Sequence, residues 1–121
     1  MDERSTGAPS TEEVRALHER LRPRQEAQGY YFNGDEALVL ELLAGLLTNK
    51  ARYGYMCCPC RLAAGDREAD RDIICPCDYR APDVEEYGAC FCGLYMSAER
   101  LRSGQPAPAV PERRPPDKVP F

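Results

Sequence analysis

The first stretch of the chain with a regular hydrophobic pattern follows a polar segment of ten residues. Val14, Leu17 and Leu21 recur at the spacing of one helix face, with charged residues between them. Thr11 offers a capping hydroxyl, and two glutamates follow it in the first turn, where the helix dipole favours acidic side chains. Pro23 interrupts the pattern, so we expect the helix to kink or end there, and a helix that resumes would reach Gln28 before Gly29.

A second and broader apolar stripe lies between Asn33 and Asn49. Its members are Leu38, Val39, Leu42, Leu43, Leu46 and Leu47. This spacing predicts an amphipathic helix with a wide buried face. Asn33 is placed to cap the helix, ahead of two acidic residues, and Asn49 is placed to end it. We therefore expect this helix to form the centre of the core.

The helical periodicity breaks after residue 51, where cysteines, prolines and glycines divide the chain into short segments. Single-turn helices are expected near residues 66–71 and 82–87. The final 18 residues, 104–121, contain six prolines. This composition predicts an extended, polyproline-like tail.

A length of 121 residues is typical of one domain and too short for two independent cores. We divide the chain into a flexible N-terminus at residues 1–10, a folded domain at 11–103 and the proline-rich tail at 104–121. The expected fold class is mainly α: a small single domain of helices with irregular cysteine-bearing loops.

Charge and hydropathy argue against two classes of partner. The net charge is −4, and residues 65–90 alone carry eight acidic and three basic side chains. A nucleic-acid-binding protein more often shows a basic face, and none is evident. The longest apolar run, residues 37–40, is far too short to span a membrane, and residues 1–10 contain no apolar signal segment. We expect a cytoplasmic protein that binds neither nucleic acid nor membranes.

Seven cysteines dominate the candidate chemistry, and six of them form three C-x-C pairs. The pairs are Cys58-Pro59-Cys60, Cys75-Pro76-Cys77 and Cys90-Phe91-Cys92, with Cys57 left over. A reducing cytoplasm disfavours structural disulfides, and an odd number of cysteines excludes complete pairing. Metal or redox chemistry is therefore indicated.

Three interpretations of the cysteine pattern are open. A structural zinc site usually combines C-x2-4-C half-sites; Cys57 and Cys60 form one, but no second one follows. A disulfide scaffold disagrees with the compartment and the odd count. An iron–sulfur cluster of the [4Fe–4S] type takes four thiolates and leaves three, enough for one redox-active dithiol. A cluster beside a dithiol suits the conversion of one-electron transfer into two-electron thiol chemistry.

The segments CPCR, ICPC and CFC occur in that order after a helical region. They resemble the catalytic chain of ferredoxin–thioredoxin reductase, whose pattern is CPC, CPC and CHC, and the resemblance covers roughly residues 11–96. It implies that Cys58, Cys75, Cys77 and Cys90 are the ligands of a [4Fe–4S] cluster. It also implies that Cys60 and Cys92 form the redox-active disulfide, with Cys60 as the nucleophile.

The resemblance further implies an activity and partners. The chain would take electrons one at a time from ferredoxin or a similar donor and pass them to the disulfide of thioredoxin or a related protein. A second, non-catalytic subunit is a further candidate partner. Two alternatives stay open: the same cluster enzyme fed by a rubredoxin-like donor, and a zinc-stabilised interaction module without turnover.

Several residues of this sequence depart from the family pattern or add to it. Phe91 stands where the family has a histidine, which removes a candidate proton carrier. Cys57 has no counterpart and is either a small buried hydrophobe or a third participant in disulfide exchange. Arg61 is the candidate cation that raises the thiolate fraction of Cys60, the alternative being a solvated surface arginine. A candidate docking surface for the electron donor consists of Arg100, Arg102, Arg113, Arg114 and Lys118.

Overall fold

The computed structural model describes residues 8–120. Over that range the chain forms four α-helices and one two-stranded sheet, joined by turns and irregular loops. The elements are α1 (Thr11–Glu26), β1 (Tyr31–Phe32), α2 (Glu36–Tyr53), α3 (Arg80–Tyr87), β2 (Tyr95–Met96) and α4 (Ala98–Ser103), with 3-10 helices at Arg71–Ile73 and Pro116–Lys118. The predicted fold class, mainly helical with cysteine-bearing loops, is confirmed. The first seven residues of the predicted flexible N-terminus lie outside the described range.

Helix α1 is capped by Ser10 and not by Thr11. The Ser10 hydroxyl accepts a hydrogen bond from the Glu13 N–H at 3.1 Å, and the Glu13 carboxylate accepts one from the Ser10 N–H at 2.7 Å. This reciprocal capping box makes Thr11 the first helical residue. Of the two outcomes expected at Pro23, the helix does not end there but continues to Glu26. The proline removes one N–H near the end of the helix, and the Ala27 N–H still donates to the Pro23 carbonyl at 3.1 Å.

Helix α2 is capped by Asp35, whose carboxylate accepts a hydrogen bond from the first turn at 3.2 Å. Asn33 instead accepts a bond from the Asp35 N–H at 2.9 Å, one step before the helix. The helix also passes Asn49 and is terminated by Gly54, whose φ of 92° favours glycine. The Asn49 amide donates to the carbonyl of Cys57 at 2.9 Å. Both asparagines therefore hold loops and not helix ends.

The apolar faces of α1 and α2 meet in the main core. Its buried members are Val14, Leu17, Val39, Leu42, Leu43, Leu46, Val84, Cys90, Leu94 and Tyr95. The prediction that α2 forms the centre of the core is confirmed, since four of its apolar residues are buried there. Gly45 of α2 lies so close to Pro59 that an added β-carbon would be 2.8 Å from the proline side chain. Helix α2 thus positions the first C-x-C pair.

The sheet fixes the third C-x-C pair against the start of α2. Strands β1 and β2 pair antiparallel, with Tyr31 opposite Met96. Just beyond β1, Asn33 donates its backbone N–H to the Leu94 carbonyl at 2.9 Å and its side-chain amide to the Gly93 carbonyl at 2.9 Å. These long-range bonds hold the turn that contains the third pair.

A buried carboxylate organises the loop between the first two C-x-C pairs. Asp70 is fully buried and accepts hydrogen bonds from the N–H groups of Ala64 and Gly65 at 2.9 and 3.0 Å. The Tyr55 hydroxyl donates to the same carboxylate at 2.6 Å. The loop therefore closes around one acidic side chain.

The two short helices expected in the second half have changed bounds. The segment 66–70 forms turns, in which the Asp70 N–H donates to the Asp66 carbonyl at 2.9 Å, and only Arg71 belongs to the 3-10 helix. The segment 82–87 belongs to α3, which begins two residues earlier and ends at Gly88.

The proline-rich tail lies against the domain. Its residues 105–113 are irregular, and Val110 is buried with Ala89 and Met96 in a small separate cluster. Arg114 is buried as well. The tail is therefore bound to the domain at more than one point. In residues 8–120, no helix combines the length and apolar character needed to cross a membrane.

Candidate metal centre and redox site

Backbone hydrogen bonds bring the first two C-x-C pairs together. The Cys58 N–H donates to the Ile73 carbonyl at 2.8 Å, and the Cys75 N–H donates to the Met56 carbonyl at 2.8 Å. Both bonds belong to one short antiparallel bridge. The two cysteine segments therefore run side by side although more than ten residues separate them in the sequence.

The third pair lies in a tight turn just before β2. The Gly93 N–H donates to the Cys90 carbonyl at 2.9 Å, and the Cys90 N–H donates to the Tyr95 carbonyl at 3.0 Å. The Tyr95 N–H donates to the Cys90 sulfur at 3.3 Å, and the Cys92 sulfur lies 3.8 Å from that sulfur. The turn thus places both sulfurs of the pair together, with a backbone donor on one of them.

Five of the six paired cysteines line a single pocket. They are Cys58, Cys75, Cys77, Cys90 and Cys92. The remaining lining residues are Arg61, Pro76, Arg80, Phe91 and Tyr95. The structure thus brings all four predicted ligands to one place. Cys60, the predicted nucleophile, lies outside the lining and is exposed.

The donor set of this pocket fits an iron–sulfur cluster. The lining offers thiols and neither carboxylate nor imidazole, and thiolates are the ligands that such clusters take. Among residues 8–120, no three His, Cys, Asp or Glu side chains converge closely enough to hold one metal ion. Zinc needs its sulfurs about 2.3 Å from one point. The all-thiol lining therefore fits an iron–sulfur cluster, and thiolates are also ligands of zinc.

Tyr95 is a further sign that the pocket is built for an occupant. Its side chain is 1% exposed, and its hydroxyl has no hydrogen-bond partner among the described residues. A buried hydroxyl without a partner costs about 1–3 kcal/mol. Burial raises the pKa of Tyr95, so the phenol keeps its proton and stays a donor. A sulfur atom held in the pocket would supply the missing acceptor.

The thiols of the site differ in their tendency to ionise. Hydrogen bonds from Cys58 and Cys92 hold the pKa of the Cys60 thiol well below its ordinary value. The Cys92 thiol forms hydrogen bonds with Cys58 and Cys60. These bonds raise the pKa of Cys92, which therefore keeps its proton. Burial raises the pKa of Cys75, whereas the hydrogen bond from Cys92 lowers the pKa of Cys90 to about 7. The exposed thiol is therefore the one most easily ionised.

Arg61 is not the solvated surface arginine that the sequence left open. Its side chain is 2% exposed, and its Nη1 donates to the Cys77 sulfur at 3.4 Å. The guanidinium carbon lies 4.5 Å from the centre of the Phe91 ring and 5.1 Å from that of Tyr79. Although burial opposes its charge, the hydrogen bond to Glu112 raises the pKa of Arg61. The ring at the position of the family histidine thus contacts a fixed cation.

Arg80 is a second buried cation on the pocket. Its guanidinium carbon lies 3.8 Å from the centre of the Tyr30 ring and 4.8 Å from that of Tyr95. The same group donates to the side chains of Gln25 and Gln28 at the end of α1. Two guanidiniums therefore offset the negative charge that several thiolates would place in this pocket.

Cys57 lies outside the pocket lining and is fully buried against Cys58 and Ile73. Burial raises the pKa of the Cys57 thiol, which disfavours the reactive thiolate. Of the two interpretations of Cys57, the small buried hydrophobe fits this environment better.

Two basic residues of the predicted docking surface form ion pairs with the domain. Arg114 is 3% exposed and donates to Asp72 at 2.8 Å, and Arg113 pairs with the buried Asp83 at 2.8 Å. The expectation that Arg114 receives an electron donor is wrong, because its side chain is buried, whereas the Arg113 side chain is 35% exposed and stays a candidate for the docking surface. Glu112, a tail residue that binds Arg61, was not predicted as a site residue, and no local pattern marks it.

Most of the chain resembles a family of known proteins. The family model described as the ferredoxin thioredoxin reductase catalytic beta chain matches residues 8–112. This range includes all seven cysteines and most of the irregular tail segment. A search of curated proteins finds no match.

Proposed function

The chain belongs to the ferredoxin thioredoxin reductase catalytic beta chain family, and on that premise we propose that it is an iron–sulfur disulfide reductase. It takes electrons one at a time from ferredoxin or a similar donor and passes them to the disulfide of thioredoxin or a related protein. One observation carries the proposal: an exposed cysteine, Cys60, adjoins a pocket lined by the other five paired cysteines.

The cofactor of this proposal is a [4Fe–4S] cluster held by Cys58, Cys75, Cys77 and Cys90. When bound, the cluster supplies the acceptance and delivery of single electrons. The all-thiol lining, the two buried guanidiniums and the unpartnered hydroxyl of Tyr95 support it.

The remaining two paired cysteines carry the exchange with the target. The Cys60 thiolate attacks one sulfur of the target disulfide, forms a mixed disulfide and releases the other target sulfur as a thiolate. Cys92, after losing its proton, attacks the Cys60 sulfur and releases the second target thiolate. The resulting Cys60–Cys92 disulfide is reopened by two electrons from the donor and two protons. The exposure of Cys60 supports this division of roles, because only an accessible thiolate meets a protein disulfide.

The overall reaction is favourable for the proposed partners. A plant-type ferredoxin has a reduction potential of about −400 mV, and thioredoxin has one of about −270 mV. The difference of roughly 130 mV corresponds to about 6 kcal/mol for two electrons. Electrons would therefore flow towards the target.

The cofactor is tested by iron, acid-labile sulfide and zinc analysis on protein purified without oxygen. We expect about four irons and four sulfides per chain and no zinc. Stoichiometric zinc without sulfide in folded protein would overturn the proposal and support the zinc-stabilised interaction module.

The roles of the dithiol are tested by single substitutions. Cys60→Ser is expected to abolish disulfide reduction while the cluster is retained, with either ferredoxin or a rubredoxin as donor. Cys92→Ser is expected to accumulate a mixed disulfide between Cys60 and the target, which mass spectrometry detects. Cys57→Ser is the matched control and should keep turnover. If Cys60→Ser and Cys92→Ser differ from wild type only in stability, the reductase assignment is wrong.

A further inference from the structure

The tail residue Glu112 binds Arg61, a side chain that lines the cysteine pocket. Its carboxylate accepts hydrogen bonds from Arg61 Nε at 2.8 and 3.1 Å and from Arg61 Nη2 at 2.7 Å. The two residues are 51 positions apart in the sequence. A segment outside the cysteine motifs therefore contacts the site directly.

This contact determines the direction of the remaining guanidinium donors. The guanidinium is a rigid planar fork, so a carboxylate bound along the Nε–Nη2 edge fixes where Nη1 points. In Arg61, Nη1 points at the Cys77 sulfur, 3.4 Å away. The Phe91 ring, 4.5 Å from the guanidinium carbon, further restricts its rotation. The N–H···S contact to Cys77 is therefore set by Glu112 and the ring together.

Glu112 is itself held in place by the next residues of the tail. Its carboxylate accepts a hydrogen bond from the Arg114 N–H at 2.9 Å. The buried Arg114 side chain donates to both oxygens of Asp72 at 2.8 and 3.2 Å and to the Leu62 carbonyl at 3.2 Å. The Glu112 carboxylate thus occupies a fixed position relative to the loops that carry the cysteines.

We propose that Glu112 is a positioning residue: it holds Arg61 so that Nη1 donates to Cys77, and it thereby sets the reduction potential of the cluster. The inference rests on the proposed function, because it requires a cluster on Cys77. A hydrogen bond to a ligand sulfur withdraws electron density and favours the reduced cluster. The contact therefore raises the reduction potential.

The Glu112 carboxylate could act as a nearby negative charge or as a group that positions Arg61. These two roles predict opposite shifts of the reduction potential in Glu112→Gln. If the carboxylate acts only as a nearby negative charge, its removal favours the reduced cluster and raises the potential. If the carboxylate positions Arg61, its removal weakens the N–H···S contact and lowers the potential. Arg61→Gln removes both the donor and the cation, so it lowers the potential in either case.

The test is an anaerobic redox titration of the bound cluster in the full chain, followed by its visible absorption. We expect Glu112→Gln and Arg61→Gln each to lower the potential; a tenfold change in the one-electron equilibrium corresponds to about 59 mV. In the Arg61→Gln background, Glu112→Gln should no longer lower it, because the carboxylate acts through the arginine. Arg61→Lys keeps the charge without the planar fork and should also lower the potential.

The matched control is Glu86→Gln. Glu86 also binds a tail arginine, Arg113, but it does not line the pocket, so the potential should stay at the wild-type value. A raised or unchanged potential in cluster-loaded Glu112→Gln overturns the inference and leaves the proposed function intact. Wild-type protein that binds no cluster refutes the proposed function and the inference together.

Discussion

The helical half and the loop half of the molecule are stabilised by different forces. In residues 11–53, α1 and α2 meet through fully buried apolar side chains such as Leu17 and Leu43. In residues 54–120, the buried side chains include charged groups at Asp70, Asp72, Asp83, Arg80 and Arg114. Apolar packing tolerates many partners, whereas a buried charge needs a specific one. The helical half therefore depends on the spacing of its apolar residues, and the loop half depends on individual polar pairs.

The position of the cysteines follows this division. All seven lie in the loop half, where Cys90 packs in the main core with α1 and α2, whereas polar pairs hold the loop between the first two C-x-C pairs and the tail. We therefore expect that loop and the tail to open without the helical half when their polar pairs are broken.

The largest stability effect is expected for Arg114→Ala. The substitution leaves the Asp72 carboxylate buried without its cation, which costs about 3–5 kcal/mol. Hydrogen exchange should rise in the tail and in the loop before the second C-x-C pair, while α1 and α2 keep their protection. Denaturant unfolding and residue-resolved hydrogen exchange measure the two effects.

The control for that prediction is Arg71→Ala. Arg71 is 76% exposed and lies 3.6 Å from the exposed Glu68, so its loss should cost less than about 1 kcal/mol. Equal loss of protection in α1, α2 and the loops of Arg114→Ala would show that the two halves open as one unit.

The same division explains what the sequence predicted well. The stripe of α2 is periodic, so its burial and central place follow from spacing alone. The three C-x-C pairs are a pattern of residue types, and the structure brings five of their six cysteines to one pocket. Repeated spacing is visible in a single sequence.

The parts that were not predicted depend on choices between similar residues or on distant partners. Ser10 and Thr11 both carry a capping hydroxyl, and only the reciprocal bond with Glu13 distinguishes them. Glu112 and Arg61 are far apart in the sequence, and neither has a periodic neighbour that indicates the contact. Long-range polar pairs of this kind leave no local signal.

Acid should release the tail before it disturbs the helical half. Although burial opposes ionisation, hydrogen bonds from Arg114 and Tyr79 lower the pKa of Asp72, and those from Arg61 lower the pKa of Glu112. A carboxyl group with a lowered folded pKa stabilises the fold above its unfolded value, about 3.9 for Asp and 4.3 for Glu. That stability is lost as pH falls through the folded pKa.

Tail attachment should therefore be constant above about pH 5 and weaken below about pH 4. Hydrogen exchange of residues 105–120 between pH 6 and pH 3 measures it. Asp72→Asn should make the attachment weaker and less dependent on pH. Release that begins well above pH 5 in the wild type would assign the effect to groups other than these two carboxylates.

The smallest effect on stability is expected for Tyr95→Phe. This effect should differ in sign between the protein without a cluster and the protein with a bound cluster. Without a cluster the substitution removes a buried hydroxyl that lacks a partner among residues 8–120, so stability should rise by about 1–3 kcal/mol. With the cluster bound it removes a donor to sulfur, so a chelator should extract iron faster.

Tyr55→Phe is the matched control, because the Tyr55 hydroxyl already donates to Asp70 at 2.6 Å and its loss should destabilise both forms. Denaturant unfolding measures the stability of the metal-free chain, and the rate of iron release measures how firmly the loaded chain holds the cluster. If Tyr95→Phe stabilises or destabilises both forms alike, its hydroxyl has no partner in the pocket.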